Sequence, residues 1–184
     1  PDGCIFDANR YTVMGLLEGL GCEVTDLGIL PDDLDAIGGA LDAAAGGHDL
    51  LITSGGVSAG EEDHVKDAVE ALGQIHFWRL AIKPGRPIAL GQVGETTFVG
   101  LPGNPVAAMV TFMVIARPVA LLLAGCTDVV APRFPVRSGF DYHKKQGRRE
   151  WARVRIETDG KGEPVAMKYR SAGAGILTSM VEAD

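Results

Sequence analysis

The chain has 184 residues, 46% of them hydrophobic, and a formal net charge of −7; that length holds one medium domain, or one domain and a small second one, with enough apolar material for a core. The negative balance disfavours non-specific nucleic-acid binding, which needs a cationic surface, but leaves room for a local basic pocket. No apolar run of membrane length is expected, the opening PDGCIFDANR has no signal-peptide pattern, and Cys4, Cys22 and Cys126, without a C-x-x-C, fit reduced thiols in the cytoplasm rather than disulfides or a zinc site.

In chain order, Val13, Leu16, Leu17 and Leu20 recur on one helical face that Gly21 closes, and Asp7 or Asn9 is placed to cap it. Glu23–Leu27 reads as a strand. The loop Gly28–Asp33 leads to a second helix faced by Leu34, Ile37 and Leu41. Either aspartate can cap it, and Asp32, nearer the strand end, can instead face a ligand crevice.

The stretch LLITSGGVSAGEEDHVK, residues 50–66, then reads as a buried strand, a small-residue turn and a helix. Thr53-Ser54-Gly55-Gly56 falls where the strand ends, with Ser58 and Gly60 further along the turn. In a parallel α/β sheet, ligands sit at the carboxyl ends of strands. Free N–H groups and the positive end of a helix make such a turn a phosphate-sized anion site. A P-loop is unlike it: Gly55 and Gly60 have the spacing, but Glu61 and Glu62 stand where Lys and Ser/Thr belong, and G-x-G-x-x-G is absent. A plain βα turn is the alternative.

Val65, Val69 and Leu72 predict a helix ending at Gly73, followed by a strand over Ile75–Ile82 with Phe77 and Trp78 on opposite faces. Period two then puts Arg79, Ala81 and Lys83 on one face, just before the Pro84-Gly85 turn. Arg79 and Lys83 either meet one anion or are two solvated cations on an edge. Ile88–Leu90 and Thr97–Val99 read as a hairpin. In Gly100-Leu101-Pro102-Gly103-Asn104-Pro105, the residues before proline are held extended. Asn104 suits a cap and Pro105 a first helical position. The following Val106–Leu123 is apolar nearly all round and is expected to be largely buried.

Gly125–Pro132 marks a boundary between residues 1–125, with βα alternation, and residues 126–184, with short strands. There Trp151–Glu157 and Val165–Tyr169 alternate about the turn Asp159–Gly162.

Taken together, D-x-N at Asp7–Asn9, P-D-D at Pro31–Asp33, ITSGGVSAGEEDHVK at residues 52–66, KPGRP at Lys83–Pro87 and GLPGNPV at Gly100–Val106 resemble the molybdopterin molybdenumtransferase family, the MoeA-like proteins that include the gephyrin E domain. The resemblance covers nearly the whole chain. It implies a Rossmann-like three-layer α/β domain followed by a small all-β, barrel-like module. It also implies that adenylylated molybdopterin and molybdate give molybdenum cofactor and AMP with Mg²⁺, in a homodimer when full length.

By the same resemblance, the Thr53–Gly60 turn, with Lys66 closing its motif, faces the pterin phosphate. Asp32 and Asp63 act in catalysis or metal binding, and Arg79 and Lys83 lie near molybdate and pterin. Pro102, Gly103, Asn104 and Pro105 shape the pocket, and Arg148 and Ser171 complete the molybdate contacts with Lys83. The family's proteins are about twice as long, more than one or two domains hold. A strand before Pro1 and the last strands of the β module are expected to be missing. Related molybdopterin adenylyltransferases share the fold and the Gly-rich turn, and a gephyrin-like scaffold is a further alternative; the β module and the KPGRP and GLPGNP turns favour the molybdenum-inserting enzyme.

Overall fold

The computed structural model describes residues 7–56, 64–144, 146–170 and 177–184, with the side chains of Phe77 and Trp78 outside that description. The first part of the chain forms α1 (Ala8–Glu18), α2 (Leu34–Ala45), β1 (Leu50–Ser54), α3 (His64–Leu72), β2 (Gly73–Arg79), β3 (Ile82–Lys83), β4 (Pro87–Val93) and β5 (Thr96–Leu101). A long helix follows as α4 (Pro105–Thr111), a π-helical turn (Phe112–Ala116) and α5 (Arg117–Leu123).

Four strands form one sheet in the order β1-β5-β4-β2, with β1 parallel to β5 and the β5-β4 and β4-β2 pairs antiparallel. Its two faces follow the period-two rule. Leu51, Phe98 and Val93 pack beneath α2 and α3 with Ile37, Leu41, Val65 and Val69. Ile88, Val99 and Leu101 pack on the other side with Val13 of α1 and with Ala108, Phe112 and Ala116. The result is three layers, helix on sheet on helix. Fully buried side chains such as Phe98 and Phe112 each contribute about 1.5–3 kcal/mol from burial.

Asp7 caps α1 by accepting from Arg10 N at 3.2 Å, and Asp33, not Asp32, caps α2 by accepting from Ala36 N at 2.9 Å. Glu23–Leu27, expected as a strand, has no regular structure. Among the described residues no neighbouring strand pairs with it, and β1 is an edge of its sheet. It is tied instead by an Arg10–Asp26 ion pair of 3.6 Å and by Asp26 accepting from Gly28 N.

Pro105–Leu123 corrects two expectations. With 19 residues and a mean hydropathy of 2.2 it is long and apolar enough to cross a membrane by length and composition. It is also covered on one side only. Val106, Ala108, Phe112 and Ala116 are buried, whereas Met113, Leu122 and Leu123 are exposed.

Beyond residue 125, β6 (Arg137–Ser138), β8 (Val154–Thr158) and β9 (Pro164–Lys168) form an open sheet in the order β6-β9-β8, and a short helix α6 (Thr178–Val181) follows. No closed barrel is found among the described residues. The β8-β9 hairpin turns where expected, with Asp159 accepting from the backbone of Lys161 and Glu163. The join between the two parts is β3, which pairs in parallel with β7 (Arg149–Glu150). Arg149 N donates to Ala81 O at 2.8 Å and Trp151 N to Lys83 O at 2.9 Å.

Candidate functional site

At the carboxyl end of β1, Asn9 is buried and its Nδ2 donates to Ser54 Oγ at 2.8 Å and to Gly103 O at 2.7 Å. One side chain therefore ties the first turn of α1 to the strand end and to the Gly-Pro loop after β5. Ser54 Oγ also approaches Pro102 O at 3.4 Å. Gly55 N donates to Leu101 O at 3.0 Å, so that amide is taken up in holding the two loops together. Gly56 has φ +67°, and a Cβ there would lie 2.5 Å from Val65 Cγ2, which restricts the position to glycine. Thr53 Oγ1 is buried with no hydrogen-bond partner among the described residues.

The same Gly-Pro loop forms one wall of a cleft of about 260 Å³ between the two parts of the chain. The α/β part contributes Lys83, Pro84, Gly85, Pro87, Pro102 and Asn104. The β part contributes Tyr142, Glu150, Trp151, Arg153, Lys168 and Tyr169. Gly85 sits at φ +98° with its Cα so close to α4 that a Cβ would lie 2.3 Å from Thr111 Cγ2. The turn after Lys83 thus rests directly on the helix.

Lys83 and Glu150 face each other across the β3–β7 pairing, with Nζ 3.6 Å from Oε2. The Glu150 side chain is 8% exposed and that of Lys83 57%. The Tyr142 hydroxyl donates to the same Glu150 oxygen. That hydrogen bond holds the Glu150 carboxyl below its ordinary range, helped by the Lys83 ammonium, and pushes the Tyr142 hydroxyl above its own. Lys168 Nζ lies 4.5 Å from the Tyr142 ring centroid, and the Arg149 guanidinium 6.0 Å from that of Trp151. The cleft therefore offers flat apolar walls, lysines and one shielded carboxylate: a place for a polar, anionic ligand with a planar part.

The residues singled out from sequence are partly brought together. Thr53, Ser54, Gly55, Gly56 and Gly103 meet at the strand end, and Lys83, Pro102 and Asn104 line the cleft. Pro105 opens α4, and Asn104 stands at its cap position without a side-chain cap bond. Lys66 lies on α3 in an i,i+4 ion pair with Glu70 at 3.8 Å. Arg148 is exposed in the turn entering β7.

Arg79 and Lys83 do not share one strand face. β2 ends at Arg79, opposite Pro87, and the chain bends at Ala81 before β3. Leu80 N donates to Arg86 O there, so the alternation of side chains does not carry across. Arg79 is not among the cleft-lining residues. Asp32 is exposed, and no group of three or more His, Cys, Asp or Glu side chains able to hold a metal forms among the described residues. Ser58, Gly60, Asp63 and Ser171 lie outside the described residues, and with them the expected anion cradle over Gly55–Gly60 and the closeness of Asp32 to Asp63.

Sequence reasoning gave Asn9 only a cap and passed over Tyr142, Glu150, Lys168 and Tyr169. For Asn9 the signal was its place in the D-x-N motif at Asp7–Asn9. For Glu150 it was the acid directly after the Arg148-Arg149 pair.

Fold and site define a class: a three-layer α/β domain whose Gly-Pro loop opens on a cleft shared with a β module. Comparison with known proteins gives the family. Residues 2–121 match the model "Probable molybdopterin binding domain" and residues 135–184 match "MoeA C-terminal region (domain IV)". The chain is 40% identical over 183 residues to a Haemophilus influenzae molybdopterin molybdenumtransferase, covering 99% of this chain and 45% of that protein. It superposes on a MoeA crystal structure from Pyrococcus horikoshii with a TM-score of 0.79 at 26% identity, covering 100% of this chain and 44% of that one. A MogA structure shares the fold alone, with a TM-score of 0.53 at 23% identity over 65% of this chain and 90% of that one. The chain belongs to the molybdopterin molybdenumtransferase (MoeA) family. It spans less than half the length of the Haemophilus and Pyrococcus proteins.

Proposed function

We propose that this chain is the part of a molybdopterin molybdenumtransferase that binds adenylylated molybdopterin and brings molybdate to it, giving molybdenum cofactor and AMP. The observation that carries the proposal is the cleft at the β3–β7 join. The Gly-Pro loop faces the β1 strand end through Gly103 and the cleft through Pro102 and Asn104. One extended ligand can therefore lie over the loop, with its phosphates toward the Thr53–Gly60 turn and its pterin toward the aromatic walls.

Molybdate is a dianion and the ligand is itself anionic, so their approach needs cations. Lys83 supplies one at the cleft, and Arg148 is proposed as a second. Thr53, Ser54 and Asn104 hold or orient polar groups of the nucleotide end. Lys66 near the start of α3, with Ser58, Gly60 and Ser171, belongs to the same proposed site, and Pro105 stiffens its wall. Arg79 is left with the role of an exposed cation.

A divalent ion such as Mg²⁺, if held, takes one or two carboxylates and phosphate oxygens and neutralises phosphate charge. Asp32 and Asp63 are the proposed carboxylates. The described residues present only Asp32, without a ligating cluster, so no step is routed through the metal.

The proposal includes a homodimer in the full-length protein and a cytoplasmic location. The β-module wall favours molybdenum insertion over adenylyl transfer, because residues 135–184 match the MoeA C-terminal region. The test is Lys83→Ala in the full-length protein. A rise in the molybdate concentration for half-maximal AMP release, with folding unchanged, supports it. An unchanged curve leaves Lys83 a surface residue.

A further inference from the structure

We propose that Glu150 is a counter-charge for the Lys83 subsite, offsetting part of the lysine's attraction so that oxyanions bind there loosely and chloride hardly at all. The inference rests on the cleft being the molybdate site. Glu150 is the acid opposite Lys83 in the β3–β7 ladder, its side chain is nearly buried, and its Oε2 is shared between Lys83 Nζ and the Tyr142 hydroxyl.

The distance decides between a positioning role and a charge role. A positioning hydrogen bond from an ammonium to a carboxylate is about 2.7–2.9 Å, whereas Lys83 Nζ stands 3.6 Å away and most of its side chain is exposed. The backbone places Lys83 instead, through Trp151 N donating to Lys83 O. Glu150 therefore acts on whatever approaches Lys83 through its charge. The Tyr142 hydroxyl, donating to the same oxygen, takes up part of that charge. A monoanion gains little by exchanging water for a lysine already facing a carboxylate. A dianion doubles both its attraction to Lys83 and Lys168 and its repulsion from Glu150, so two cations against one carboxylate leave it a net attraction, weaker than it would be without Glu150.

The experiment measures equilibrium dialysis of labelled molybdate, with chloride and phosphate as competitors, in wild type, Lys83→Ala, Glu150→Gln and Tyr142→Phe proteins of intact fold by circular dichroism. Glu150→Gln should lower the molybdate Kd about tenfold at low salt and let chloride compete, because a dianion about 5 Å from the lost charge is relieved of that repulsion. Tyr142→Phe, at an exposed ring that is no threat to folding, should act in the opposite direction by about threefold, since the carboxylate loses its donor. Together these support the proposal.

If Lys83→Ala weakens binding but Glu150→Gln leaves Kd unchanged or raises it, the counter-charge is overturned and the molybdate site stands. If Lys83→Ala has no effect, or wild type does not bind molybdate saturably, the site itself is overturned and the counter-charge with it. Should Glu150→Gln fail to fold, Tyr142→Phe decides alone: an unchanged or tighter Kd overturns the counter-charge.

Discussion

Asn9 and Ser54, separated by 45 residues in the chain, are joined by a 2.8 Å hydrogen bond from Asn9 Nδ2 to Ser54 Oγ, and the same nitrogen holds the Gly103 carbonyl at 2.7 Å. This one amide fixes the spacing between the β1 strand end and the Gly-Pro loop, the two segments over which the ligand is proposed to lie. Asn9→Ala removes both bonds and leaves a part-buried carbonyl without its donor, at a cost of about 1–3 kcal/mol. Urea unfolding should show that loss. Asn9→Asp, which cannot donate to the Gly103 carbonyl when ionised, should weaken binding of the anionic ligand more than Asn9→Ala does. Equal binding in the two variants would limit Asn9 to holding the fold.

The KPGRP turn depends on Gly85. A side chain there meets Thr111 Cγ2 at 2.3 Å and must adopt φ +98°. Gly85→Ala is expected to cost about 1–3 kcal/mol from backbone strain and overpacking, and to displace Lys83 from the cleft. Adding Thr111→Ser to Gly85→Ala removes the methyl and should recover part of the loss in melting temperature, with the φ strain remaining. No recovery would mean that the turn does not rest on Thr111.

Asp32 and Asp33 separate a ligand role from a capping role. Asp33 holds the N-terminus of α2 through Ala36 N, so Asp33→Ala should lower stability by about 1 kcal/mol. Asp32 is exposed and caps nothing, so Asp32→Ala should leave the denaturation midpoint where it is. If Asp32 is one of the proposed carboxylates, its loss appears instead as a higher Mg²⁺ requirement in the full-length enzyme. Equal midpoint losses at both positions would contradict this assignment.

The Tyr142–Glu150 bond has a pH signature. The Glu150 carboxyl is held below its ordinary value of 4.5, so its contribution to stability is present above that pH and fades as pH falls through the lowered value. The Tyr142 hydroxyl is held above its ordinary value of 10.0, so its contribution is present below pH 10 and is lost as pH rises through the raised value. The difference in melting temperature between wild type and Tyr142→Phe should be flat near neutrality and shrink on both flanks. A constant difference from acid to alkali would rule the bond out as the source.

What was legible in the sequence followed from local chemistry. The helix faces of α1 to α3, the β4-β5 hairpin and the strand β1 depend on periodicity, caps and glycines, which neighbouring residues reveal. Glu23–Leu27 was misread because a strand needs a partner as well as a pattern, and pairing is not local. Arg79 and Lys83 were joined wrongly because a bend at Ala81 breaks the alternation, and only the pairing with β7 reveals it. Glu150 was passed over for the same reason: it meets Lys83 across a contact between distant segments of the chain. The long helix deceived in composition, since its apolar residues run all round while the sheet covers one side.

The central claim is that the Lys83 cleft and the β1 strand end serve one molybdenum-insertion site. The most direct measurement is AMP release from adenylylated molybdopterin by the full-length protein, with molybdate titrated, in wild type, Lys83→Ala and Asn9→Ala. Molybdate-dependent AMP release that shifts to higher molybdate in Lys83→Ala, and to higher adenylylated molybdopterin in Asn9→Ala, is the predicted result. AMP release that ignores molybdate, or that keeps wild-type dependence on both substrates in both variants, would contradict the account.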